Sequence, residues 1–473
     1  MRRKPATTED ATLVQMPKAF VVNRKRLPVN LFVLRQKLYE KAKREPTFRF
    51  YTLYGLIARL DVLEAAWTLV ADNDGAPGVD GITIEQIETS PGGVATLVAT
   101  LHQELQLKQY KPQAVRRVYI LKANGKRRPL GIPTIRDRVV QAAARLVLEP
   151  IFEADFLEVS YGYRPGRHAH EALAAIARNV QEGRAEIYDA DLQAYFDTIP
   201  HDKLLKCVER RVADQAVLRL LRQWLIAPVE DRDENGRRKQ NRPTQGIGTP
   251  QGGVISPLLA NLYLHWMDVT FHRRSGPGTW ANARLVRYAD DFVIMARYIG
   301  PRIEAWVDAT VQGWLGLTIN REKTQIVTLT PKHEASLDFL SYTFRYDWDR
   351  HGRGTRYFTA EPSAKAVARM KQALRKLISS RHNFEPVPQL IRHVNDKLRG
   401  WQRYFSYGRP RGAYRVLNAF VIARLTHHLQ RRSQRPSRPP GDMSWYRYLT
   451  GPLELQLLTM RALRDSHSCE PAG

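Results

Sequence analysis

The amino-acid sequence predicts an α+β fold with an antiparallel sheet, followed from about residue 346 by a helical region, on three observations. First, Ala185–Asp197 alternates as a strand does, with Ile187, Asp189 and Asp191 on one face and Tyr188, Ala190 and Leu192 on the other. Second, Leu285-Val286 and Phe292-Val293-Ile294-Met295 are apolar runs that flank Tyr288-Ala289-Asp290-Asp291, which places the two aspartates at a hairpin tip. Third, the apolar period changes after Tyr342. Val367, Met370, Leu374 and Leu377 form one helical stripe, and Ile391, Val394, Leu398, Trp401 and Phe405 form another.

Taken in order, residues 1–60 are a basic N-terminal extension, in which Lys37–Arg44 reads as a helix. Residues 61–345 carry the mixed region. Gly75-Ala76-Pro77-Gly78-Val79-Asp80-Gly81 is a glycine-rich turn, and the Gly252-Gly253 loop leads through Ser256-Pro257 into a buried helix marked by Leu258, Leu262 and Trp266. Residues 346–430 hold the two amphipathic helices, whose outer surface is crowded by Lys365, Arg369, Lys371, Arg375 and Lys376. Residues 431–473 form a basic tail, rich in Arg, Ser and Pro up to Pro440, as in a linker or a backbone-binding segment.

Composition points to a polyanionic partner. Lys and Arg number 74 against 47 Asp and Glu, a formal charge of +27, and aromatics lie among the basic residues in Trp401-Gln402-Arg403-Tyr404-Phe405. Each neutralised phosphate adds about 0.9 to the log–log salt slope on duplex DNA and about 0.7 on single strands. Cys207 and Cys469 are the only cysteines, too few for a disulfide framework or a cysteine zinc cluster, as expected in a reducing compartment. No apolar stretch approaches the roughly 18 residues of a membrane span. The expectation is a soluble intracellular protein with no membrane partner.

The acidic residues carry the chemistry. Two carboxylates about 4 Å apart repel by roughly 4 kcal/mol at an effective dielectric near 20, so an apolar strand that keeps them together implies a cation between them. Magnesium, a hard ion that prefers carboxylate and phosphate oxygens, is the natural one. Carboxylates from the Asp191 strand and the Asp290-Asp291 tip can hold two such ions, the arrangement that clamps the attacking and leaving oxygens of a phosphoryl transfer. Either cluster alone is equally a surface turn or a solvated strand end.

These blocks resemble the reverse transcriptases encoded by group II introns, over most of the chain. The resemblance rests on Lys122–Thr134, Asp137–Gln141, Ser160–Arg167, Gly248–Pro257, the Tyr-Ala-Asp-Asp box, Glu322-Lys323-Thr324 and Phe339–Tyr342, in the family's order. Asn395–Trp401 with Tyr404-Phe405 is similar to the maturase motif. The resemblance implies a right-hand polymerase, with fingers and palm over 61–345 and an α-helical thumb/maturase region over 346–430. It implies a two-metal Mg²⁺ site in which Asp191 and Asp290 are the principal ligands and Asp291 supports them. Lys122 and Arg128 would hold the incoming triphosphate, Gln251 its sugar, and Phe196 would be the steric gate that selects deoxynucleotides. Lys323 would protonate the leaving pyrophosphate, or stand as a surface lysine. The implied partners are a group II intron RNA, an RNA template with a DNA primer, target DNA and deoxynucleoside triphosphates, in a bacterial cytoplasm or nucleoid. Leu121, Tyr195 and Ser341 depart from the residues frequent in the family, and no segment resembles its C-terminal HNH nuclease domain. A domesticated enzyme in phage defence or DNA repair, or a splicing factor that mainly binds RNA, would share these blocks.

Overall fold

The computed structural model describes residues 27–121, 127–232, 238–241, 246–249, 252–349, 354–433 and 438–460. Lys122 and Gln251, the start of the N-terminal extension and parts of the tail lie outside these residues. Eleven strands are present among them: β1 Val115–Leu121, β2 Arg127–Ile132, β3 Glu186–Ala190, β4 Val229–Arg232, β5 Arg238–Asn241 and β6 Arg284–Tyr288. The rest are β7 Asp291–Ala296, β8 Gln325–Thr328, β9 Ser336–Phe339, β10 Tyr342–Trp348 and β11 Arg356–Pro362. By packing, the chain forms two compact units: one takes in the described residues up to 176 together with 188–326, the other 177–187 with those from 327 onward.

The first unit is built around the helix Ile135–Glu153, which is buried along almost its whole length. Ala142, Ala143 and Ala144 are small enough to let the helices Val29–Arg44 and Leu60–Asp72 pack closely on it. Charges buried there are paired: Arg35 donates to Glu149 at 2.8 Å and to the Leu146 carbonyl, which avoids the several kcal/mol that an unpaired buried ion costs. A four-stranded sheet of order β2-β1-β4-β5 joins β1 to β2 antiparallel and β1 to β4 parallel. A second sheet of order β6-β7-β3-β8 carries the acidic segments. Within it β6 and β7 are an antiparallel hairpin whose last pair is Tyr288 opposite Asp291, so Ala289 and Asp290 form a two-residue turn.

The second unit contains the antiparallel sheet β11-β10-β9 and the helices Ala364–Leu377, Val387–Tyr404, Arg411–Arg431 and Trp445–Thr450. Met370 and Leu374 of the first apolar stripe, and Ile391, Val394 and Leu398 of the second, are buried in one core with Leu417, Val421 and Leu425 of the helix Arg411–Arg431. The β9–β10 turn is strained, because Leu340 and Ser341 both have positive φ, +48° and +66°, where glycine is favoured. Two contacts hold it: Tyr404 donates to the Leu340 carbonyl and Arg369 to Ser341 Oγ, each at 2.8 Å. Among the described residues, no helix is long and apolar enough to cross a membrane.

Candidate active site

Asp191 lies just beyond the end of β3, and the loop after it is fixed by the segment that precedes β8. Asn320 donates to the Asp191 carbonyl at 2.8 Å through its backbone N–H, and to Asp191 Oδ2 at 3.0 Å through its amide. Lys323 Nζ reaches the same Oδ2 at 3.0 Å, the contact a bound cation would make. Asp290 comes from the β6–β7 turn. Together Asp191 and Asp290 line a cavity of about 450 Å³ with Arg128, Phe196, Glu322 and Lys323. Asp191 and Asp290, about a hundred residues apart in the chain, thus share one cavity with the cations Arg127, Arg128 and Lys323 and the rings of Tyr195 and Phe196.

The site is held electrostatically tense. Burial raises the Asp290 carboxyl above its usual range and Asp191 adds to this, while a backbone hydrogen bond and Arg128 oppose it. Asp291 is pushed up to about 7, first by loss of solvation and then by the charges of Asp290, Asp191 and Asp189. Its side chain is exposed and does not line the cavity, Asp290 belonging to the turn and Asp291 to the start of β7; water therefore screens part of that push. Hard oxygen donors in mutual repulsion suit magnesium. Among the described residues no three His, Cys, Asp or Glu side chains form a closed cage, and magnesium needs only one or two carboxylates when substrate phosphates and water complete its shell.

The tip is shaped by residues the sequence reading did not single out. Ala289 sits at φ +58°, and three supports keep it there. Arg287, fully buried, donates to Asp268 at 2.9 Å, to Asn261 Oδ1 at 3.0 Å and to the Ala289 carbonyl at 2.9 Å. Asn261 in turn donates to the Gly162 carbonyl at 2.6 Å. Gly162 lies against the turn so closely that a Cβ there would sit 2.5 Å from the Ala289 nitrogen. The segment before Gly162 also bonds to the outer edge of β6, the Tyr161 N–H donating to the Arg287 carbonyl and the Arg287 N–H to the Val159 carbonyl. The signal for Arg287 was present in the sequence, as a charge set between Val286 and Tyr288 well inside β6, whose other arginine, Arg284, stands at the strand's start.

Phe196 is 7% exposed on the short helix Tyr195–Thr198, and Tyr195 beside it is tied down by its hydroxyl on the Ala260 carbonyl. The Phe196 carbonyl accepts from the Thr249 N–H at 2.7 Å. The loop of Gly248 and Thr249 is therefore fastened to the Phe196 helix, two residues before Gln251. On the far side of that residue Gly252, at φ +119°, approaches the Gly131 carbonyl of β2, where a Cβ would come to 2.5 Å.

Comparison with known proteins adds to this geometry. The family pattern described as "Reverse transcriptase (RNA-dependent DNA polymerase)" matches residues 120–344, and that described as "Group II intron, maturase-specific domain" matches 367–444. Protein YkfC of Escherichia coli (strain K12) is 35% identical over 329 residues, 62% of this chain and 84% of YkfC. The chain belongs to the group II intron reverse transcriptase and maturase family. The group II intron-encoded protein LtrA of Lactococcus lactis subsp. cremoris is 37% identical over 220 residues, which are 46% of this chain and 35% of LtrA; the chain thus spans about a third of that relative. A solved telomerase from Candida albicans in complex with a fragment of telomeric RNA is 12% identical over 68% of this chain and 62% of its own, at a TM-score of 0.39, a likeness too slight to carry an argument.

The protein is accordingly an RNA-directed DNA polymerase with a maturase domain, and as such binds RNA and depends on a divalent metal ion. Its rate is expected to be sensitive to the support beneath the tip. Gly162→Ala should displace the Ala289 turn and lower primer extension by about 100-fold, the penalty typical of a 1 Å misplacement at a reacting centre. Circular dichroism should stay unchanged; a variant within about threefold of the parent would show that the turn tolerates the shift.

Proposed function

We propose that this polymerase joins deoxynucleotides to a DNA primer on an RNA template at the Asp191–Asp290 cavity, and that its template in the cell is a group II intron RNA whose splicing it assists. We assign the fingers and palm to 61–345, the thumb and maturase region to 346–430, and the remaining ends to basic flanks. What supports the site is the convergence of Asp191 and Asp290 on one cavity with Arg128, Phe196 and Lys323.

In the reaction the primer 3′-oxygen forms a bond to the α-phosphorus, the bond from that phosphorus to the bridging oxygen breaks, and pyrophosphate leaves. Asp191 and Asp290 would hold two magnesium ions, with Asp291 reinforcing the negative potential. Bound there, the ions supply charge neutralisation at the attacking and leaving oxygens. Arg128 on β2 grips the triphosphate together with Lys122, a planar fork and a point cation suited to phosphate oxygens. Lys323, kept near the site by its bond to Asp191, donates a proton to the departing pyrophosphate. Gln251 contacts the nucleotide sugar.

The Phe196 ring lies beneath that sugar, where a ribose 2′-hydroxyl would collide with it. Phe196→Ala is expected to raise ribonucleotide incorporation relative to deoxynucleotide incorporation by ~100-fold, within the range that steric and packing discrimination at a substrate site covers. Single-nucleotide extension kinetics with each triphosphate measure this, and an unchanged ratio would place the gate elsewhere.

The cellular template is tested by sequencing the RNA that co-purifies from the native cell at moderate salt. One strongly enriched structured RNA that contains or flanks the protein's own gene is the expected result. A broad mixture, or an unrelated small RNA, would leave the polymerase chemistry standing and remove the intron. Target DNA would be engaged when the intron copy is integrated, and gel shifts with the DNA flanking the enriched RNA's gene would test that step.

A further inference from the structure

A second cavity, of about 330 Å³, opens beside the helix His201–Glu209 and shares no lining residue with the carboxylate cavity. Lys203, Lys206 and Arg210 line it, spaced three and four residues apart as on one helix face, and no carboxylate does. Its other wall is aromatic. Trp266 and Trp314 stack with centroids 4.9 Å apart and planes at 26°, and Arg210 lies 4.5 Å from the Trp266 ring centroid. Trp314 remains 45% exposed, so a further ring can extend the stack.

The backbone is shaped to present that ring. Ala309–Trp314 is a π-helix, a rare widening that is found mostly as single turns and often at functional sites. Lys203 Nζ donates to the Trp314 carbonyl at 2.6 Å, tying the cationic helix to the widened turn. The cavity is fitted for binding rather than reaction: burial pushes the Cys207 thiol in its wall up to about 11, which keeps it protonated and a poor nucleophile. An adjoining cavity of about 580 Å³ shares Cys207, Arg210 and Trp266 and adds Lys43 and Arg211. The one acid that lines it, Asp155, already pairs with Arg211 at 3.1 Å. Cations without free acids, next to a stacked indole with an open face, complement an aromatic ring that carries a phosphate.

We propose that this cavity is a second RNA site, which takes an unpaired nucleotide of the bound RNA with its base on Trp314 and its phosphate on Lys206 and Arg210. Base stacking on an aromatic side chain is tolerant of sequence, and the cations track the backbone. The site rests on the RNA-binding reading of the protein but not on the polymerase assignment.

The test titrates a fluorescent single-stranded RNA of about 12 nucleotides into the full chain already saturated with an RNA–DNA primer–template, so that the polymerase cleft is filled. Trp314→Ala should weaken binding by ~10-fold, within the range of one lost base stack, while Trp314→Phe retains most of it. Lys206→Gln with Arg210→Gln should lower the log–log salt slope by about 0.7, the value for one phosphate on a single strand. All three variants should extend primers at the parent rate, which separates failure of this site from failure of the polymerase reading. Equal affinity in parent and variants would overturn the proposal, and so would adenosine monophosphate binding as tightly as the oligonucleotide, which would mark a site for free nucleotides.

Discussion

Asp290→Ala is expected to lower RNA-templated primer extension by at least about 1,000-fold, equivalent to about 4 kcal/mol of transition-state stabilisation, because Asp290 is proposed to hold the metal whose charge neutralises the attacking and leaving oxygens. The same substitution should leave the melting temperature equal or higher. Burial and the Asp191 charge raise the Asp290 carboxyl, so its ionised form strains the folded state at neutral pH, and removing it relieves that strain. Opposite signs for activity and stability are the mark of a residue retained for chemistry rather than packing. Synthesis within tenfold of the parent would end the assignment; lost activity accompanied by a lowered melting temperature would reduce Asp290 to a structural role.

Arg287 gives the reverse pattern. Arg287 and Asp268 are both fully buried and joined through two nitrogens, so Arg287→Met should cost about 3–5 kcal/mol by leaving Asp268 charged and unpaired. Arg287→Met combined with Asp268→Leu should regain most of that, since two apolar side chains can pack where the ion pair was. It should not regain primer extension. Asn261 and the Ala289 carbonyl would still lack the guanidinium that holds them, and the turn that carries Asp290 would lose its support. Denaturant unfolding and single-turnover extension on the same three proteins separate the two contributions. A single variant within about 1 kcal/mol of the parent, or a double variant with full activity, would show that the pair does not position the turn.

The chemistry was more legible than the scaffold that aims it. Asp191 and the Asp290-Asp291 pair stand out because charges in alternating or apolar runs break a local pattern. The two thumb stripes did so because Met370 and Leu374, and Ile391, Val394 and Leu398, recur at helical spacing. The helix Arg411–Arg431 escaped that reading: its buried Leu417, Val421 and Leu425 follow the same spacing, but Val416, Phe420 and Ile422 scatter apolar residues over its other faces. The charge of Arg287 beside Val286 was visible, but what it does was unreadable for a different reason. An arginine in a strand acquires its meaning from partners on another element, here Asp268 and Asn261 on the helix Ser256–His272. The parallel pairing of Val115 with Val229 is likewise a contact between distant segments, and no local pattern announces it.

The strand order of the catalytic sheet has a consequence for synthesis of the protein. β3 lies between β7 and β8, both of which follow it in the chain, and Asp191 is fastened by Asn320. A ribosome that has just released the Asp191 segment must still make about 130 residues before that clasp exists, roughly 6–26 seconds at the usual rate of elongation. Until then the nascent chain has basic surface but no assembled catalytic centre. An unfinished copy therefore lacks the Asp191–Asn320 clasp until Asn320 has been made, and translation itself sets the order in which the cavity is assembled.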